Sequence, residues 1–164
     1  MSAVRTLLFT GGGEYHDWVG VGDVLERLLS AAGDFDVTRV AQDLSVFEPQ
    51  RVAGFELIVL YYDAGGLSQP QKEGLVGAVR AGAGFVGVHG AAVSFPEWPE
   101  YRAMLGGRFL THPPYGRFQV SIADPEHPIT AGVEDCFAED EQYILDYDPR
   151  VHVLAATLWR GQPM

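Results

Sequence analysis

His89 stands in the run Ala83-Gly84-Phe85-Val86-Gly87-Val88-His89-Gly90-Ala91-Ala92. Phe85 to Val88 is apolar and bounded by glycine, long enough for a buried strand and too short for a helix. Small residues then surround one large polar side chain. That is the pattern of a nucleophile elbow, a tight strand-to-helix turn that lifts one side chain above the carboxyl edge of a sheet. Here the lifted residue is a histidine, not serine or cysteine. Such a histidine suits general acid–base work near neutral pH, or metal ligation. The plainer alternative is a polar side chain that caps a helix or satisfies a buried carbonyl.

Other residues could join it. Gly11-Gly12-Gly13 leads from an apolar stretch into Glu14-Tyr15-His16-Asp17. Its amides could face a ligand at a helix start, or the glycines could simply allow a turn. No Gly-Lys-Ser/Thr follows, so it is not a P-loop, and His16 replaces the third glycine of a dinucleotide fingerprint. His112 and His127 each precede a proline, which favours an extended conformation before a fixed turn. His112, after Phe109, suits a pocket wall; His127, after Asp124-Pro125, suits a rigid surface turn, and His152 reads as structural. Asp63, in Asp63-Ala64-Gly65-Gly66, is a carboxylate at a strand tip. Glu139-Asp140-Glu141 with Tyr143 is an acidic run placed just before a strand, ordinarily a solvated face. Beside a histidine it becomes an acid–base partner. Tyr15, Trp18, Phe95, Trp98 and Tyr101 lie in or beside these loops, where aromatic platforms would suit a sugar.

Elements that must hold these residues follow from periodicity. Val4 to Thr10 predicts a buried strand, since apolar residues run together without alternating. Val21, Val24, Leu25, Leu28, Leu29 and Ala32 fall at helical spacing, with Gly33 where a C-cap glycine belongs. Phe35 to Val40 and Phe55 to Tyr61 predict two more strands. Ser68-Gln69-Pro70-Gln71 predicts a helix start, and Leu75, Val76 and Val79 its core face, ending at Gly82 or Gly84. Trp98, Tyr101 and Leu105 fit a short helix closed by Gly106-Gly107. Arg117 to Ala123 and Gln142 to Tyr147 alternate as strands with one wetter face, and Val151 to Leu158 predicts a last apolar strand. Strand and helix in alternation imply a parallel sheet with helices on both faces, and ligands at its carboxyl edge. Loops 11–17, 62–66 and 89–98 qualify.

The totals narrow the function. Acidic residues number 22 against 11 basic ones, a net charge of -11, and Lys72 is the one lysine. So acidic a surface repels phosphate backbones and disfavours nucleic acid. Cys136 is alone, so no disulfide framework forms within the chain, and a reducing cytoplasm is the expected compartment. Leu7-Leu8-Phe9 is too short for a signal-peptide core or a membrane span.

Thr10-Gly11-Gly12 with Tyr15-His16-Asp17, Gly84 to His89, and Leu105-Gly106-Gly107-Arg108-Phe109 with His112-Pro113 resemble the trehalose-utilisation (ThuA-like) family. Asp124-Pro125-Glu126-His127-Pro128-Ile129-Thr130-Ala131-Gly132 and Asp140-Glu141-Gln142-Tyr143 extend the resemblance along nearly the whole chain. It implies an α/β, flavodoxin-like three-layer sandwich with a mostly parallel central sheet, of the class I glutamine amidotransferase-like type. It also implies a role in sugar or disaccharide metabolism, of trehalose or 3-keto-sugar type. Residues 1–164 are then expected to form a single domain, shortened at its carboxyl end. Glutamine hydrolysis is not expected, because His89 holds the elbow, Cys136 lies far from it, and no late His-x-Glu completes a triad.

Two readings follow. In the first, the chain is a hydrolase or lyase acting on a sugar derivative. His89, His112 and Glu141 are then catalytic, and Gly12, His16, Asp63, Trp98, Asp140 and Tyr143 bind substrate. Three histidines converging with a carboxylate would also form a divalent-metal site of zinc type. In the second, the chain is a non-catalytic sugar-binding or regulatory domain. Either way the expected partner is a small sugar, with no nucleic acid or membrane, and an exposed apolar sheet edge would favour a homo-oligomer.

Overall fold

Val4–Thr10 form the first strand, β1, and every residue from Thr6 onward is buried. The structure, a computed structural model, describes residues 2–163, the last two by backbone alone. The chain divides into two compact units, Met1–Leu105 and Gly106–Met164.

In the first unit β1 leads through the glycine loop to helix α1 (Trp18–Ala32). Asp17 caps this helix by accepting the Gly20 N–H at 2.9 Å. Gly33 closes it at φ 78°, the left-handed conformation that glycine adopts without steric cost. There follow β2 (Phe35–Ala41), α2 (Pro49–Val52), β3 (Leu57–Tyr61), α3 (Gln69–Arg80), β4 (Gly84–Gly87) and α4 (Pro99–Leu105). The Gln71 side chain reaches back to accept the Ser68 N–H at 2.9 Å, half of the capping arrangement expected there. Gly82, at φ 111°, lies just beyond the end of α3.

The four strands are parallel in the order β2-β1-β3-β4. Alternate residues divide between two faces. Leu7, Phe9, Ile58 and Leu60 join Phe47, Val52, Leu75 and the aromatics Phe95, Trp98 and Tyr101 in one buried cluster. Leu8, Val59 and Tyr61 are buried as well and lie outside that cluster, on the face where α1 packs along β1 and β2. Covering both faces is what lets β1 and β3 be almost continuously apolar. The third strand begins at Leu57, two residues later than its apolar run, because Phe55 is still in the turn that follows α2.

The second unit is antiparallel. It contains β5 (Gly107–Thr111), β6 (Gly116–Ile122), β7 (Cys136–Asp140), β8 (Ile144–Tyr147), β9 (Ala155–Trp159) and β10 (Gln162–Pro163). Four pair in the order β10-β9-β6-β7, and β5 pairs with β8. The inside–outside alternation of β6 is as its sequence indicates. Two expectations are corrected here. Val151 to Leu158 is not one buried strand: pairing starts at Ala155, and Leu158 is exposed. The acidic run lies just before β8, as expected, and its Glu139 and Asp140 also close β7, opposite Arg117 and Gly116. β5 arises from a segment expected only as a pocket wall. These segments carry weak signals because each strand has one solvated face, which leaves short and mixed sequence patterns.

Candidate active site

Three strands of the first unit end side by side, with β3 between β1 and β4, so their exit loops meet at one edge. Gly11 to Asp17 leave β1, Asp63 stands two residues past β3, and His89 two residues past β4. The edge therefore brings together one carboxylate and two imidazoles. His16 Nδ1 lies 2.5 Å from Asp63 Oδ2, and His16 Nε2 lies 3.2 Å from His89 Nε2. The Asp63 side chain is 7% exposed and that of His16 22%. Tyr61, the last residue of β3, stacks on the His89 ring at 6.1 Å with 16° between the planes.

The elbow geometry is present. His89 has φ 45°, a left-handed conformation that is uncommon outside glycine and costs backbone strain. Its small neighbours are explained by packing. A Cβ on Gly90 would stand 2.9 Å from both Asp63 Cβ and the Tyr62 carbonyl, and one on Gly87 would meet Leu105 Cδ1 at 2.7 Å. Tyr101 locks the turn from outside by donating its hydroxyl to the Ala91 carbonyl at 2.8 Å. Burial holds that phenol far above its usual titration range. Burial, and then the neighbouring Asp63 carboxylate, also push the Tyr62 phenol up, so it stays protonated and donates to the Gly65 carbonyl at 3.0 Å.

The glycine loop is a structural device. Gly11 N–H donates to the Tyr61 carbonyl at 3.0 Å, Gly12 N–H to Gln42 Oε1 at 3.1 Å, and Gly13 N–H to Asp63 Oδ1 at 2.6 Å. All three amides are thus engaged by the protein. Gly12 is needed because its φ is 125° and a Cβ there would stand 1.6 Å from Asp63 Oδ1. Asp63 in turn accepts from the loop with one oxygen and holds His16 with the other. Trp98 is 6% exposed and packs on Tyr101, with ring centroids 5.6 Å apart. It belongs to the core and also lines a surface cavity with Lys72, Phe95 and Pro96.

In the second unit His112 Nε2 faces Glu141 Oε1 at 3.6 Å, and its Nδ1 lies 2.7 Å from the Pro113 carbonyl. Tyr143 packs on Phe109 at 4.6 Å and reaches the His112 ring at 6.4 Å. Asp140 accepts the Glu141 N–H at 2.7 Å. The histidine–carboxylate pair expected from the acidic run therefore forms, between His112 and Glu141. His127 sits in the rigid turn expected of it, with Nδ1 accepting the Ile129 N–H at 3.2 Å. His152 is exposed and pairs with Asp124 at 2.9 Å.

Two imidazole nitrogens 3.2 Å apart are spaced as adjacent ligands of a tetrahedral ion, which at zinc–nitrogen bond lengths lie about 3.3 Å from one another. The ring centroids are 4.9 Å apart with 86° between the planes, so the two rings meet edge-on at an angle and not head-on. Asp63 behind His16 is the carboxylate that fixes the tautomer and orientation of a ligating histidine. The same arrangement without an ion is a carboxylate–imidazole–imidazole proton relay. Tyr61 and Gln42 are the participants that sequence reading missed. Each closes a strand or follows directly from one at this edge, which was the available signal.

The first unit is thus a flavodoxin-like parallel sheet with a histidine elbow at its carboxyl edge. Residues 5–161 match the family model described as ThuA, trehalose utilisation, and the chain belongs to that family. The structure is similar to that of a ThuA-like protein from Bacteroides uniformis, with a TM-score of 0.77 and 19% identity over 96% of this chain and 69% of that one. A ThuA-like protein from Parabacteroides merdae gives 0.76 and 22% identity, over 95% of this chain and 68% of the other. No curated protein matches the chain. Among the described residues no helix is long and apolar enough to cross a membrane.

Proposed function

We propose that the chain is an enzyme of sugar or disaccharide metabolism, acting on a trehalose-type or 3-keto-sugar derivative as a metal-assisted hydrolase or lyase. The observation that supports it is the facing pair of His16 and His89, with the buried Asp63 carboxylate behind His16. His16 and His89 would hold a divalent cation through their Nε2 atoms. Such an ion polarises a carbonyl or hydroxyl oxygen and lowers the pKa of a bound water. Asp63 accepts the Nδ1 proton of His16 and so keeps the Nε2 lone pair directed toward His89. The strained turn at His89 fixes the second ring, and Tyr61 stacked against it limits its rotation. Family membership supports the carbohydrate substrate.

A second reading is favoured by the 3.2 Å separation itself, which also admits an N–H···N hydrogen bond. His89 would then act as acid or base and His16 would return its proton, with no ion involved. Elemental analysis of protein purified without added metal separates the two. Near-stoichiometric zinc, manganese or iron, lost in His89→Ala, is expected. A metal-free protein that turns over a keto-disaccharide, and loses that turnover in His89→Ala, would replace the first reading with the second. Saturable sugar binding without turnover, retained in His89→Ala, would leave a binding domain.

A further inference from the structure

Gln42 lies outside the pair that does the chemistry, yet its side chain is bonded to the loop that carries His16. Its Oε1 accepts the Gly12 N–H at 3.1 Å, and its Nε2 donates to the Gly12 carbonyl at 3.0 Å. One side-chain amide thus pairs with both backbone groups of a single residue, as a neighbouring strand would. Gln42 does this from a left-handed conformation, φ 60°, held by its own N–H on the Thr10 carbonyl at 3.0 Å. Non-glycine residues rarely adopt that conformation, and a glutamine kept there calls for a reason. The fit is close: a Cβ on Gly11 would stand 2.7 Å from Gln42 Oε1.

What the grip on Gly12 controls is Asp63. Gly12 lies against the Asp63 carboxylate, Gly13 N–H bonds one of its oxygens, and the other oxygen holds His16. Gln42 on one side and Asp63 on the other clasp the glycine loop between them. We infer that Gln42 is a positioning residue: by fixing Gly12 it sets the Asp63 carboxylate, which sets the His16 ring toward His89. The inference rests on the His16–His89 pair being the working site, but it concerns the order of His16 whether or not an ion is bound there.

The test therefore reads His16 directly, with turnover left aside. In the full-length chain, nitrogen NMR of the His16 ring reports its tautomer and the protection of the Nδ1 proton. Gln42→Ala is expected to mix the tautomers and speed exchange of that proton. Gln42→Gly is the decisive variant. It keeps the left-handed backbone free of strain while removing the clasp, so a residue kept only for stability predicts a lower Tm and an unchanged His16 ring. Positioning predicts the same Tm behaviour with a disordered ring, and zinc affinity measured by titration calorimetry down about tenfold, as for other groups that orient a metal ligand. An unchanged His16 spectrum in Gln42→Gly overturns the inference. A wild-type chain that binds no zinc removes the metal reading, and the ring comparison still decides the role of Gln42.

Discussion

Asp63 has two oxygens and two duties, and the residue scale turns on that division. Oδ1 accepts the Gly13 N–H, and Oδ2 holds His16 Nδ1. A carboxylate facing Nδ1 favours the tautomer with the proton on Nδ1, which leaves the Nε2 lone pair toward His89. Asp63→Asn presents an amide instead. Its oxygen can still serve Gly13, but its NH₂ donates to Nδ1 and drives the His16 proton to Nε2, facing His89. Zinc affinity is expected to fall 10- to 100-fold and any turnover with it, while the fold persists. Calorimetric titration and circular dichroism check the two halves. The importance of Asp63 was legible in the sequence, as a carboxylate at a strand tip, but its partner was not. Nothing in Asp63-Ala64-Gly65-Gly66 says that a loop 47 residues earlier lies beside it. That follows only from β3 lying between β1 and β4.

At the scale of elements, the glycine loop and the elbow turn are shaped by the same carboxylate. Gly12 and Gly90 both lie within contact of Asp63 atoms, and neither has room for a Cβ. Gly65, two residues beyond Asp63, has nothing within 4 Å of its Cβ position and no positive φ. Gly12→Ala is thus expected to cost at least about 2 kcal/mol, from a clash added to a strained φ. Gly65→Ala should stay within about 0.5 kcal/mol of the parent. Urea denaturation of both variants tests the contrast. Sequence reading recognised both glycine clusters as tight turns, since glycine flanking a large polar residue is a local signal. It could not separate a ligand cradle from a turn around an internal carboxylate, because the deciding atoms come from other strands. The helices were legible for a related reason: α1 and α3 carry their apolar period and end signals within their own segments.

Across the whole molecule, depressed carboxylates occur in both units: Asp43 and Glu56 in the first, Asp124, Asp135 and Asp148 in the second. The Ile122 N–H holds Asp135 below the ordinary carboxylate range, and the Glu126 N–H does the same for Asp124, with help from His152. The Arg150 guanidinium brings Asp148 down to about 2. A carboxylate lowered on folding stabilises the native state above its unfolded value of about 4 and loses that contribution as pH falls through the folded value. Asp148→Asn is accordingly expected to be less stable than the parent at neutral pH. The difference should shrink between about pH 4 and pH 2 and vanish below, as urea titrations across that range would show. The second unit was the harder half to read. Its strands are short and half-solvated, and β5 and β7 contain residues whose types pointed to loops. The central strands of the parallel sheet, β1 and β3, were legible because burial on both faces writes itself into continuous apolar runs.

The turn at His89 has a consequence for engineering. It already has the positive φ, the small flanking residues and the site at the strand tip that a raised nucleophile requires. Behind it stands an imidazole whose far nitrogen is bound to a buried aspartate, and whose near nitrogen faces the residue at the tip. A thiol introduced by His89→Cys would reach about 2 Å less far than Nε2 and so face the same imidazole, with its orienting acid in place, across a wider gap. The chain is one side chain away from the Cys–His–Asp constellation of acyl-transfer enzymes.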